Sequence, residues 1–349
     1  MSTSEPPRAS RGDAPRADAS RLRARRIGGA VLRRIGSAVL VVWITATIVF
    51  IALRVSGDPL EAIMGGPGSQ ATPEAFERAR IAYGLDRPIA VQYLTQLWNT
   101  ATLQFGDSYA RKQPVSGLLA ANFWPTVLIS TLALVVAWAF ALAGALLGVL
   151  GRGRWGRATR AALSGIATVS SVIPQFFLGA VGILIFAGAL HWFPATSSGN
   201  APASLVLPVL TLAIPIAGYL AHVMHGSLEE AGSQPFATTA RARGASETRV
   251  LLAHTLRHAA LPAIALSGWA YGSLLSGAVV VEALFARPGL GRLLLEAASV
   301  RDVPVVMGVV SIIALLYVAV MLLADIAERL IDPAVRVRVR VRADREVTL

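Results

Sequence analysis

The sequence predicts an all-α integral membrane protein with six transmembrane helices, and three observations carry that expectation. Only 15% of the 349 residues are charged against 54% hydrophobic, whereas soluble domains carry about 25% charged residues. The apolar residues gather in the charge-free windows 35–53, 113–151, 161–228, 258–281 and 303–324, and roughly 20 apolar residues suffice to cross a bilayer core. The arginines cluster at the ends of those windows rather than on one face, so the net charge of +12 marks loops flanking spans and not a nucleic-acid surface. With no cysteine in the chain, disulfides, thiolate metal sites and cysteine nucleophiles are excluded.

Taken in order, residues 1–26 are rich in Ser, Pro, Arg, Asp and Ala and are expected to form a disordered basic leader, because they cannot bury apolar surface. A membrane domain is expected over 27–335. Its first helix, 35–54, follows Arg25–Arg26 in the manner of a secretion signal, but the charge-free run is longer than a signal's apolar core and has no clear cleavage site. An extracytoplasmic helical insertion follows at about 55–125. There Thr72 reads as an N-cap with Pro73 at the first helical position, Gly84 as the stop, and Ile89–Leu103 as an amphipathic helix. Five further spans are expected near 126–150, 162–189, 205–226, 259–283 and 304–327. The long window from 161 to 228 is divided by the Ser-, Gly-, Asn- and Pro-rich stretch from His191 to Pro202.

Loop charge sets the orientation. Residues 1–34 carry nine arginines against three acids; loop 151–160 has four arginines and no acid. Loop 229–258 and the tail 336–349 are also arginine-rich, whereas 191–204 is uncharged and 286–303 nearly balanced. An even number of spans puts both termini on the basic, cytoplasmic side.

Several chemistries lack their residues. Lys112 is the lone lysine and is followed by Gln113, so no phosphate loop ending Gly-Lys-Ser/Thr exists. The five histidines have no metal spacing. His222 and His225 share a helix face at i, i+3, which leaves a metal or proton role open, although interfacial histidines at a span's cytoplasmic end are the plainer reading. No catalytic residue, no metal site and no cofactor is expected in this chain. Glu282 and Asp325 lie near helix ends rather than mid-membrane, against the intramembrane carboxylates of an ion-coupled carrier. If the chain transports a solute, its energy comes from a partner.

The most informative segment is the basic loop at about 229–258. Pro235 opens a short helix, Gly244 ends it in the left-handed conformation, and Ser246 caps a second helix with Glu247 at its positive end. A short helix, a sharp turn and a second helix make a knob that fits a partner's groove. The sequence Thr239–Ala240–Arg241–Ala242–Arg243–Gly244, followed by Arg249–Val250–Leu251–Leu252 and Leu261–Pro262, resembles the cytoplasmic signature of permease subunits of binding-protein-dependent ABC importers. The match is to their dipeptide/oligopeptide (nickel) subfamily. Gly57–Asp58–Pro59, Gly84–Leu85–Asp86–Arg87–Pro88, Ile173–Pro174, Phe177–Leu178–Gly179, Glu282–Ala283–Leu284–Phe285, Pro288–Gly289–Leu290–Gly291, Arg301–Asp302 and Asp332–Pro333 extend the resemblance over about 30–338.

The resemblance implies a type I ABC importer permease fold in a bacterial plasma (inner) membrane. It implies four kinds of partner: a second homologous permease, two ABC ATPase subunits, an extracytoplasmic solute-binding protein and membrane lipid. ATP and magnesium would be bound by the partner ATPases, and nucleic acid is not a partner. Thr239 to Gly244, Ser246 and Glu247 would couple the chain to an ATPase. Glu282, Pro288, Gly289, Gly291 and Arg301 would lie near the mouth that meets the binding protein, a plain interhelical turn being the alternative. Gly268, Gly272, Ser273 and Ser276 are candidates either for helix packing or for the translocation path. Gly144 and Gly148 read as packing, and Pro174, Pro208 and Pro215 as kinks. A peptide is the expected solute, with nickel, glutathione or another small solute as alternatives. An ion-coupled carrier and a non-transporting membrane sensor or scaffold are the competing classes.

Overall fold

A computed structural model describes residues 36–331 except 38, 53, 56, 58–59, 61–62, 65–71, 152 and 197–200. The leader 1–26, Asp58–Pro59, Asp332–Pro333 and the tail 336–349 lie outside the described residues. The chain divides into two units, Met1–Val41 with Pro333–Leu349, and Val42–Asp332. The second carries everything discussed below.

The described secondary structure is helical apart from one isolated bridge between Asp107 and Pro114. Helix α1 is Val39–Ala52. The insertion contributes α2 (Pro73–Ala82) and α3 (Ile89–Thr102). The Thr72 hydroxyl accepts from the Ala75 N–H at 3.3 Å, Pro73 opens α2, and Gly84 turns the chain after it at φ +65°. These are the stop and start signals legible in the sequence. Helix α4 (Val115–Leu150) begins eleven residues before the span expected at 126–150, with Pro125 inside it. Helix α5 (Gly153–Val172) and α6 (Gln175–Gly182, continued by a wider π turn Ile183–Ala189) follow.

Here the expectation of one span over 162–189 is corrected. Pro174 does not kink a continuous helix; it separates two, standing as the N-cap of α6 with ψ 138°. Proline biases the residue before it away from helix, so Ile173 is a natural end. The 15-residue apolar helix Gln175–Ala189 is about 22 Å long at 1.5 Å per residue. Helix α7 is Ala203–Ser233, α8 is Pro235–Ala242, and α9 runs unbroken from Glu247 to Leu284. Pro262 lies within α9, so the loop's second helix and the fifth span are one rod, joined through the π turn Val250–Thr255. A short amphipathic helix not expected from the sequence, α10 (Leu290–Ser299), precedes α11 (Val303–Ile331). Among the described residues, four helices are long and apolar enough to cross a membrane, while Val39–Ala52 and Gln175–Ala189 are shorter apolar helices.

The core is built on small residues. Ala133, Ala137, Ala141 and Ala145 recur every four residues along α4, each fully buried, in one cluster with Leu212, Ala213, Leu220, Ala221 and Met224 of α7. Within a membrane no hydrophobic force draws helices together, so close backbone approach over small side chains supplies the dispersion contacts. A second cluster ties the N-terminal part of α4 to α10 and α11 through Val115, Leu119, Leu290, Leu293, Val306 and Met307.

Candidate functional site

The knob anticipated at 235–249 is present, and its turn is fixed by backbone and side chain together. At the end of α8 the Gly244 N–H donates to Arg241 O at 2.9 Å and the Ala245 N–H to Ala240 O at 3.1 Å. With Gly244 at φ +84°, this pair of bonds is a Schellman cap. Arg241 then crosses the turn. Its Nε and Nη2 donate to the two Glu247 carboxylate oxygens at 2.9 and 3.2 Å, and its Nη1 donates to Gly232 O at 2.8 Å. The Ser246 hydroxyl accepts from the Arg249 N–H at 3.4 Å. Arg241, Ser246 and Glu247 thus hold the knob's shape. Ala237 is buried, while Thr239, Arg241, Ala242, Arg243 and Gly244 are exposed. Nothing lies within 4 Å of the position a Gly244 Cβ would take. The knob is rigid, presented outward and continuous with the membrane rod α9.

The turn after α9 is built on opposite terms. Glu282 is fully buried, and its carboxylate accepts from Thr126 Oγ1 at 2.6 Å, from the Gly291 N–H at 2.8 Å and from the Arg292 N–H at 3.1 Å. Thr126 Oγ1 accepts in turn from the Leu290 N–H at 2.8 Å. The carboxylate therefore satisfies orphan N–H groups at the N-terminus of α10, where the helix dipole favours an anion. Arg287, buried beside it, offsets its charge; burial pulls the Arg287 guanidinium below its usual pKa. A Cβ at Gly289 would overlap the Glu282 carboxyl, and one at Gly291 the Val279 backbone. Of the five residues expected at an external mouth, Glu282, Gly289 and Gly291 are buried in this turn and Pro288 is exposed. The guanidinium of Arg301 stands against Gly57, 2.5 Å from where a Cβ would lie.

The neighbouring loop is pinned similarly. Asp302, buried at the start of α11, accepts from Ser108 Oγ at 2.5 Å and from the Tyr109 and Ala110 N–H groups at 3.1 Å. Burial, with the Asp302 carboxylate nearby, pushes the Tyr109 hydroxyl up to about 12. Sequence reasoning missed these carboxylate anchors. Two further motifs meet each other: Gly179 packs against Leu284 and Phe285.

The four path candidates separate. Gly268 faces α11, where a Cβ would come within 2.6 Å of Met321 Sδ, and at Gly272 a Cβ would overlap the Tyr317 ring. Ser273 and Ser276 are exposed on another face of α9. That face also carries Trp269, whose ring centroid lies 4.9 Å from that of Tyr219 on α7. His222 is exposed one turn beyond Tyr219, and His225 Nε2 lies 3.3 Å from Glu229 Oε1.

Residues 140–337 match the family described as Binding-protein-dependent transport system inner membrane component. Residues 29–130 match its N-terminal companion, Binding-prot-dependent transport system membrane comp, N-term. A Brucella abortus (strain 2308) protein, named for a peptide transport system as its permease protein, is 34% identical over 316 residues, covering 88% of this chain and 98% of that protein. The glutathione transport system permease protein of Escherichia coli (strain K12) is 32% identical over 309 residues, with the same coverage of both chains. A solved inward-facing methionine ABC transporter matches 62% of this chain and 96% of its own at 17% identity and a TM-score of 0.49. The chain belongs to the family of inner membrane components of binding-protein-dependent transport systems, as a multi-pass membrane permease.

Proposed function

We propose that this permease forms the membrane path of an ATP-driven importer for peptides, with small peptide-like solutes such as glutathione as the nearest alternative. The names of its relatives support the solute class. The observation that carries the mechanism is the exposed, doubly clamped knob at Pro235–Arg249, continuous with the 38-residue rod α9. A partner ATPase that grips this knob moves a stiff lever rather than a loop. Its closed, ATP-bound form must bind one arrangement of the spans better than the other, since only differential affinity shifts an equilibrium. ATP and magnesium belong to that partner. The basic loops support cytoplasmic placement of the knob and of both termini. A second permease completes the passage, and a solute-binding protein delivers the solute on the opposite side. The chain is read as leader 1–26, permease domain 27–335 and tail 336–349.

The path is proposed along the exposed face of α7 and α9 that carries Tyr219, His222, Trp269, Ser273 and Ser276. Hydroxyl and imidazole groups are poor partners for lipid. By contrast, α4 exposes Leu128, Val135, Phe140 and Leu147, which suit it.

Tagged chain purified gently from native membranes is expected to retain an ATPase and a second permease, both identifiable by mass spectrometry. A chain that emerges alone, while other complexes in the same extract survive, overturns the importer assignment. For the path, Ser276→Cys is expected to react at least tenfold faster with a water-soluble thiol reagent than Val135→Cys. Equal rates remove that face from the passage without touching the class.

A further inference from the structure

The outer end of α1 and the insertion enclose a cavity of about 140 Å³ whose wall includes Arg54, Tyr83, Arg87, Gln96 and Asn99. Among the described residues, neither the Arg54 nor the Arg87 guanidinium forms a hydrogen bond or ion pair. The loop bearing Arg87 is held in place. Gly84 turns it at φ +65°, and Gln92 Nε2 donates to the carbonyls of Leu85 at 3.2 Å and Arg87 at 2.7 Å. Two arginines on the wall of one cavity, which Phe50, Leu85 and Val303 also line, make a site for an anion with several acceptor oxygens.

The surroundings specify which anion. Helix α3 does not stand off in water. Its Tyr93 hydroxyl shares a 2.7 Å hydrogen bond with Thr47, and its ring lies 5.5 Å from that of Phe50, both on the apolar helix α1. Away from that contact α3 exposes Val91, Leu94 and Trp98, the last two 62% and 69% exposed. An apolar stripe containing tryptophan, on a helix level with the end of a span, is the signature of an interfacial helix. A carboxylate on a partner protein would satisfy the arginines and leave the stripe in water. A phospholipid satisfies both at once, phosphate on the guanidiniums and acyl chains along the stripe.

We infer that Arg54 and Arg87 bind the phosphate of an anionic phospholipid in the leaflet bearing the insertion, with Leu94 and Trp98 seated among its acyl chains. The inference rests on membrane placement alone and not on the transported solute.

The full chain, reconstituted in nanodiscs of phosphatidylcholine with or without phosphatidylglycerol, is analysed by native mass spectrometry. The wild type is expected to retain phosphatidylglycerol at least fivefold more than R54Q/R87Q. The variant R54K/R87K keeps the charge but loses the planar fork, so it tests the site even if the first variant folds poorly. Its retention is expected to fall about threefold. Retention unchanged in R54K/R87K, or in a well-folded R54Q/R87Q, overturns the site. Displacement of the lipid by inorganic phosphate at equal concentration reduces it to a simple anion pocket and overturns the lipid assignment. So does loss of solute-binding-protein capture by R54Q/R87Q in phosphatidylcholine-only discs, which gives the arginines to a protein carboxylate.

Discussion

Two turns of α9 use glycine for opposite reasons. Beyond its C-terminal end, Gly289 and Gly291 are buried and leave no room for a Cβ, because the Glu282 carboxyl and the Val279 backbone occupy that space. Before its N-terminal end, Gly244 has a positive φ of +84° and open space around it. The turn after α9 spends its glycines on internal closeness. The turn before it fixes a shape with nothing of its own chain pressed against the tip. A motif that is packed inward explains itself; a motif that is rigid and bare calls for a partner.

The contrast can be broken at either end. The largest effect is expected from Gly291→Ala, which must displace backbone of α9: about 3 kcal/mol of stability, read as a lowered melting temperature in detergent together with weak membrane yield. A variant that melts like the wild type shows that the turn after α9 yields and is not the lock described. The smallest stability effect is expected from Gly244→Val, about 1–2 kcal/mol for a left-handed residue with a Cβ, with normal membrane insertion. Its consequence lies in coupling: ATP hydrolysis by the assembled complex is expected to continue while uptake per ATP falls at least tenfold. Normal coupled uptake would remove the knob from the lever assignment.

The difference between the turns also explains what the sequence could disclose. Pro235, Gly244, Ser246 and Glu247 act within a few residues of one another, so capping rules found the knob. Thr72, Pro73 and Gly84 were legible on the same terms. The role of Glu282 depends on Thr126, 156 residues away, and that of Asp302 on Ser108, 194 residues away. No local pattern announces such pairs. Arg241 was expected at the partner interface; its bonds to Glu247 and Gly232 add a second role, the clamp that shapes the knob. Charge-free windows located the apolar helices, because composition alone excludes charge from a membrane. They could not reveal that Pro174 splits the span expected at 162–189 between α5 and α6, that α9 begins at Glu247, or that Leu290–Ser299 forms a helix. Those outcomes depend on tertiary packing, which overrides local pattern over a few residues. Gly268 and Gly272 became distinguishable from Ser273 and Ser276 only once α11 stood against one face of α9.

The alanine stripe of α4 has a mechanical consequence of its own. Methyl groups at 133, 137, 141 and 145 have no rotamers to reset and form only shallow ridges, so the seam resists being pulled apart far more than being slid. Long side chains on α7, Leu212, Leu220 and Met224 among them, meet a row of methyls rather than a second set of teeth. Small shear displacements between packed helices are an established mode of protein motion, and this seam is shaped to permit them without opening the core.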